Sequence, residues 1–103
     1  MKTYRPNTKA AHQAVTVTTA AKTLAQLSVT LDSATEGIVI QAENGDARFT
    51  VNGTTPTTSL GFLCREYDQP LPLTRAEAEN LRLISASASA SMTLQIAQYT
   101  EMP

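Results

Sequence analysis

The chain has one cysteine, one histidine, no tryptophan and only four glycines. A single cysteine excludes an intrachain disulfide and a thiolate metal cluster. A single histidine excludes any multi-histidine metal site. Charged residues make up 17% of the chain, against about 25% in an ordinary soluble domain. Part of the surface is therefore expected to be covered by a partner. The net charge of −1 argues against nucleic-acid binding, which calls for a strongly basic face. No apolar run approaches the roughly 18 residues of a membrane span. Residues Met1–Ala11 are polar where the apolar stretch of a signal peptide would stand, so no membrane role is expected. The glycines Gly37, Gly45, Gly53 and Gly61 form no phosphate-binding loop, and each reads as a turn or strand end. The aromatic residues are Tyr4, Phe49, Phe62, Tyr67 and Tyr99, a scarcity that disfavours a sugar-stacking platform without excluding one.

What the chain has instead is threonine, 16 residues of 103. Together with Val and Ile this favours strands, because β-branched side chains suit a pleated surface. Apolar and polar residues alternate at Val15–Val17, Leu27–Val29–Leu31, Ile38–Ile40–Ala42, Phe49–Val51, Leu81–Leu83 and Met92–Leu94–Ile96. A period of two is the pattern of half-buried strands, and short strands at this spacing predict a sandwich or barrel. The expected fold is an all-β, antiparallel β-sandwich. Its expected core is Val15, Val17, Leu27, Val29, Leu31, Ile38, Ile40, Phe49, Val51, Leu63, Leu83, Met92, Leu94 and Ile96.

The breaks carry turn chemistry. Asn44-Gly45-Asp46 predicts a hairpin, and Asn52-Gly53 closes the next strand. Pro70 and Pro72 bar Leu71 from a central strand. Thr74-Arg75-Ala76-Glu77 fits a capping box and predicts a short helical turn over residues 74–80. The alternating Ser/Ala run Ser85–Ser91 predicts a hairpin tip. Residues 1–13 read as an extended N-terminal arm, with the sandwich over residues 14–103 as the one domain. Up to Thr30 the chain has four basic residues (Lys2, Arg5, Lys9, Lys22) and no acidic one. From Leu31 onward it has four basic and nine acidic residues, a balance of −5. The arm reads either as a disordered terminus or as a segment that lies on an acidic partner or a neighbouring subunit, with Lys2, Tyr4, Arg5 and Lys9 as its contact residues.

Catalytic chemistry is thin. Cys64 lies in Gly61-Phe62-Leu63-Cys64-Arg65 and reads as a buried structural cysteine. His12 reads as solvated. Glu66 and Asp68 flank Tyr67 at a spacing that puts both carboxylates on one strand face. They read as loop acids, with acid/base work on a glycoside or calcium ligation as the alternative. No catalytic residue, cofactor or metal is expected.

The stretch Arg48-Phe49-Thr50-Val51-Asn52-Gly53-Thr54-Thr55-Pro56-Thr57-Thr58-Ser59-Leu60-Gly61 resembles small structural proteins of tailed bacteriophages. The order of later segments is similar too: a Leu-Thr turn, a Glu/Ala turn, a strand at Leu81-Arg82-Leu83-Ile84 and a last strand ending near Tyr99. The likeness covers Ile38–Tyr99, about sixty per cent of the chain. Leu81, where an aromatic often stands, and the Ser/Ala run depart from it. The resemblance implies a non-enzymatic jelly-roll-like virion protein that decorates or cements the capsid surface. It also implies the major capsid protein as partner and a homo-oligomer, a trimer rather than a dimer. The same motif is similar to sandwich modules of secreted carbohydrate enzymes over about a dozen residues. That alternative, a carbohydrate-binding module, predicts an exposed strand face with Tyr67 or Tyr99 accessible.

Overall fold

The computed structural model describes residues 3–86 and 90–103. These residues form nine strands: β1 (Arg5–Pro6), β2 (Gln13–Thr18), β3 (Lys22–Thr23), β4 (Gly37–Glu43), β5 (Ala47–Thr50), β6 (Phe62–Cys64), β7 (Leu71–Thr74), β8 (Arg82–Ser85) and β9 (Ser91–Glu101). One helix, α1 (Arg75–Glu79), sits between β7 and β8. In the first sheet β1 and β2 both pair with β9, followed by β4 and β7. The second sheet runs β3-β8-β5-β6. Every ladder is antiparallel.

The pairs β2·β9, β3·β8, β4·β7 and β5·β6 are those of one long antiparallel ribbon that reverses between β5 and β6. The pairs β4·β9 and β5·β8 roll that ribbon onto itself. This is the jelly-roll arrangement of eight strands in two sheets, with β1 added at one edge. The antiparallel sandwich expected from the alternation is therefore present, with its helical turn.

Rolling the ribbon sends successive strands into alternate sheets, and this corrects two expectations. Asn44 (φ 60°) and Gly45 (φ 138°) do form a tight turn, but the turn carries the chain from β4 in one sheet to β5 in the other. The Ser/Ala run joins β8 to β9, again in different sheets, and Ser87–Ser89, where the hairpin tip was expected, lie outside the described residues. Among the described residues only β5 and β6 are both consecutive and paired.

Side-chain alternation fills the core. Met92, Leu94 and Ile96 of β9 and Ile38, Ile40 and Ala42 of β4 are all buried. Each such Leu or Ile contributes about 1.5–3 kcal/mol relative to an exposed position. Val17, Val29, Phe49 and Leu83 are buried as expected, and Val15, Leu27, Leu31 and Val51 pack against them half-buried. The alternation Leu27–Val29–Leu31 is not a strand, however. Residues Ala25–Leu27 form a 3-10 turn ended by Ser28 at φ 63°, and the amides of Leu27 and Val29 both bond to the Leu24 carbonyl. Leu24 joins Val29 as a core residue of that segment. Leu63 is also corrected: it is 40% exposed, because Cys64 takes the inward position beside it.

The outer face of the second sheet is closed by the threonine-proline loop. The Arg48 guanidinium donates to the Thr58 and Gly61 carbonyls at 3.1 and 2.8 Å. Arg82 donates to the Thr55 hydroxyl, and the Thr50 hydroxyl bonds the Thr54 carbonyl. Pro56, at the middle of the loop, is fully buried. Gly61 (φ 126°) comes so close to β5 that an added Cβ would lie 2.9 Å from the Phe49 carbonyl oxygen. Helix α1 begins with the expected capping box: Glu77 N–H donates to the Thr74 hydroxyl and Thr74 N–H to the Glu77 carboxylate.

Replacing Leu94 or Ile40 with Ala is expected to cost about 2–5 kcal/mol, and Thr74→Ala about 1 kcal/mol through loss of the cap. Urea denaturation followed by circular dichroism measures both.

Candidate interaction surface

The residues expected to carry function do not gather in one place. The described part of the arm lies along β9. Arg5 stands opposite Glu101 and Pro6 opposite Tyr99, and Thr3 N–H donates to the Glu101 carboxylate at 3.1 Å. Arg5 and Lys9 are exposed. Lys9 is among the charges acting on Asp32, so these two cations face acids of their own chain. Lys2 lies outside the described residues.

Between Arg5 and Lys9 the chain is pinned by Asn7, which is 4% exposed. Its side-chain amide donates to the Asp32 carboxylate and the Thr35 hydroxyl, each at 3.0 Å. Its own backbone N–H donates to the Gln98 carbonyl at 2.9 Å. Gln98, also buried, accepts from Asp32 N–H and the Thr35 hydroxyl and donates to the Thr30 carbonyl. The network satisfies every buried side-chain polar atom in it, as low-dielectric burial demands. The Asn7 hydrogen bond, joined by the Ala34 N–H, holds the Asp32 carboxyl below the ordinary 3.8.

Tyr4 belongs to a different feature. Its ring meets Tyr99 edge-on, with centroids 5.7 Å apart at 72°. The two rings lie with Val39, Pro70 and Pro72 on the outer face of the first sheet. Pro72 also borders a groove with Val51, Phe62, Leu63, Leu71 and Glu77, where the edge strands of the two sheets, β6 and β7, lie on the same side of the sandwich. Among the described residues the exposed large apolar side chains are Tyr4, Leu60, Phe62, Leu63 and Tyr67. Leu60 leads into β6, and Phe62 and Leu63 form it. The Tyr67 amide bonds the Ala42 carbonyl, on the edge of β4 that β7 also occupies. All five therefore border the β6–β7 side. Sequence reading missed this belt apart from Tyr4 and, as an accessible ring of the carbohydrate-module alternative, Tyr67. The available signal was the adjacent pair Phe62-Leu63: neighbours in a strand cannot both face the core.

The remaining candidates are inert or separated. Cys64 is 7% exposed, and burial pushes its thiol pKa up, away from the reactive thiolate. Glu66 and Asp68 do not share a strand face. Tyr67 between them has φ 58°, which breaks the strand alternation, and Asp68 N–H closes a turn on the Arg65 carbonyl. His12 bonds Gln95, which in turn donates to Glu43. Among the described residues no three His, Cys, Asp or Glu side chains are grouped to hold a metal, and no helix is long and apolar enough to cross a membrane. No family model, curated protein or solved structure matches the chain.

The Asn7 network gives stability a pH dependence. A carboxyl whose folded pKa is depressed stabilises the fold above its unfolded value and loses that effect as pH falls through the folded value. Stability should therefore be level above about 5 and decline as pH passes below 3.8, less steeply in Asp32→Asn. Asn7→Ala should cost about 1–3 kcal/mol by leaving buried partners unsatisfied. Urea midpoints measured between pH 2.5 and 7 test both.

Proposed function

We propose that the chain is a non-enzymatic virion structural protein, a decoration or cement protein that binds and stabilises a phage capsid shell. Its partner on this reading is the major capsid protein, and it works at the capsid surface as a homo-oligomer, a trimer rather than a dimer. The observation that carries the reading is the apolar belt Tyr4–Phe62–Leu63–Leu60–Tyr67 along one side of a jelly roll. Exposed apolar patches of this kind mark interaction sites. Cementing requires a surface complementary to a shell and repeated by its symmetry, with no reacting group. Each contact is weak alone, and closed symmetry multiplies it. The resemblance of Arg48–Gly61 to phage structural proteins supports the same class. On this reading the exposed cations Arg5 and Lys9, on the β1 edge of the first sheet, make a second, charged contact.

A carbohydrate-binding module is the second reading, and the exposed rings of Tyr4 and Tyr67 favour it. Rings of this kind stack on sugars.

Co-sedimentation with purified phage heads and pull-down on insoluble polysaccharides separate the two readings. Binding to heads that is weakened at least tenfold by Phe62→Ser supports decoration. Ring-dependent retention on polysaccharide, lost in Tyr4→Ala with Tyr67→Ala, supports the module. Exposed ion pairs are worth about 0–1 kcal/mol each. Replacing Lys2, Arg5 and Lys9 together with Ala should therefore weaken head binding modestly, and raised salt should reproduce that loss in the unaltered protein.

A further inference from the structure

The geometry points to a strand-docking site on β6: the groove between β6 and β7 takes an extended apolar segment of a partner protein, flanked by basic residues. The inference stands on the edge chemistry of the two sheets and does not require the partner to be a capsid protein.

Hydrogen bonds on an antiparallel strand alternate sides from one residue to the next. The Asp46 carbonyl accepts the Ala86 N–H at 2.8 Å on the β8 side. Arg48 and Thr50 therefore bond toward β8, and Ala47 and Phe49 toward β6. Their partners Cys64 and Phe62 turn their backbone groups to β5. Leu63 between them points its N–H and C=O away from the sheet, at an edge with no charge and no proline in the strand itself.

The neighbouring edge, β7, is closed to the same use. The Arg75 N–H bonds the Glu36 carbonyl, so Leu71 and Leu73 bond inward to Ile40 and Ile38. The outward positions are Pro72, which has no N–H, and Thr74, whose N–H is held by Glu77 at 2.8 Å. Such blocking is how exposed edges are kept from pairing. Edge β3 is two residues long and carries Lys22. Edge β2 has no exposed large apolar side chain beside it. Edge β1 is two residues long and consists of Arg5 and Pro6. Among the described residues, only at β6 does an open backbone pair coincide with apolar walls, Phe62 at 65% and Leu63 at 40% exposure on opposite faces of the strand.

Charge sets the flanks of the occupant. Glu77 closes the groove at the end near Val51 and Leu73. Beyond the Cys64 end of the strand the chain carries Asp46, Glu66 and Asp68 against Arg65, with the Glu66 N–H bound to the Asp46 carboxylate at 2.8 Å, while the guanidinium of Arg48, opposite Leu63, is taken up by the Thr58 and Gly61 carbonyls. An apolar groove with Glu77 in its wall and an acidic surplus beyond its Cys64 end suits an apolar strand flanked by Lys or Arg. A second copy of this chain would bring its own acids to these ends.

The test uses the full chain and two fluorescein-labelled seven-residue peptides of alternating valine and threonine, one flanked by lysines and one by glutamates. Fluorescence anisotropy at low salt should show the lysine peptide binding about tenfold tighter than the glutamate peptide, a gap that narrows in 0.5 M salt. Leu63→Pro removes the outward N–H without touching the β5 ladder, and should abolish binding with the circular dichroism spectrum unchanged. If Leu63→Pro fails to fold, Glu66→Lys with Asp68→Lys serves instead and should reverse the preference between the two peptides. Equal binding of both peptides, or undiminished binding to folded Leu63→Pro, overturns the site. So does a dimer in sedimentation velocity that the lysine peptide fails to dissociate, since a second copy then occupies the groove.

Discussion

The pairing of β4 with β9 holds the two halves of the rolled ribbon together. Seven residue pairs align, from Gly37 opposite Tyr99 to Glu43 opposite Thr93. Their inward side chains, Ile38, Ile40 and Ala42 against Leu94, Ile96 and Gln98, are all nearly or fully buried. A slip of one residue would turn all of them to solvent, so burial on one face fixes the register. At one end the fit leaves room only for glycine: a Cβ on Gly37 would overlap the Met102 sulfur and meet the Leu73 carbonyl oxygen at 2.5 Å. With this register set, β2 and β1 line up along the far edge of β9, and β7 along the far edge of β4. Gln98 falls where Asn7, Thr35 and Asp32 can satisfy it, so the polar network is a consequence of the same alignment.

A rolled ribbon has two sides, and they are finished differently. On the β2 side, Val17 and Val15 turn inward while Thr16 and Thr18 face water. On the β6–β7 side, a three-residue strand and a proline-containing strand end their sheets early, and the core reaches the surface through Phe49, Phe62 and Leu71. The centroids of Phe49 and Phe62 are 5.7 Å apart, so the exposed ring of Phe62 continues the core outward. The apolar belt is the edge of the core itself, on a rigid frame. A surface of that kind binds without first having to order itself, which lowers the entropic cost of association.

The parts of this fold that depend on neighbours in sequence were legible in it. The alternation in β9 and β4, the capping box at Thr74–Glu77 and the exclusion of Pro72 from a central strand each follow from a few adjacent residues. The parts that depend on distant partners were not. Asn44-Gly45 specifies a reversal of direction, but which sheet receives the next strand is decided by β8 and β6, tens of residues away. The pattern Leu27–Val29–Leu31 has strand period, yet the Leu24 carbonyl captures two amides there and a turn wins. Leu63 looked like core because it is apolar, and only the register with Arg48 shows that it faces out. Of the surface residues, Tyr4 and Tyr67 were legible, and Phe62 and Leu63 were not. An apolar residue is read as buried unless the sheet edges are known.

Charge shows the same dependence on register. The sequence divides into a basic beginning and an acidic remainder, which reads as an arm in search of an acidic partner. In the fold the arm runs antiparallel to β9, so its cations meet acids drawn from the far end of the chain and from the Asp32 turn. Arg5 stands opposite Glu101 in the ladder, and Lys9 lies near Asp32. Exposed pairs of this kind are weak and screened by salt, and they do not hold the strand in place. Asn7 does that: its buried side-chain amide bonds the Asp32 carboxylate and the Thr35 hydroxyl, and its backbone N–H bonds the Gln98 carbonyl. The charges of the arm are therefore only loosely held within the molecule. They stay available to a partner surface, while the backbone that carries them is fixed.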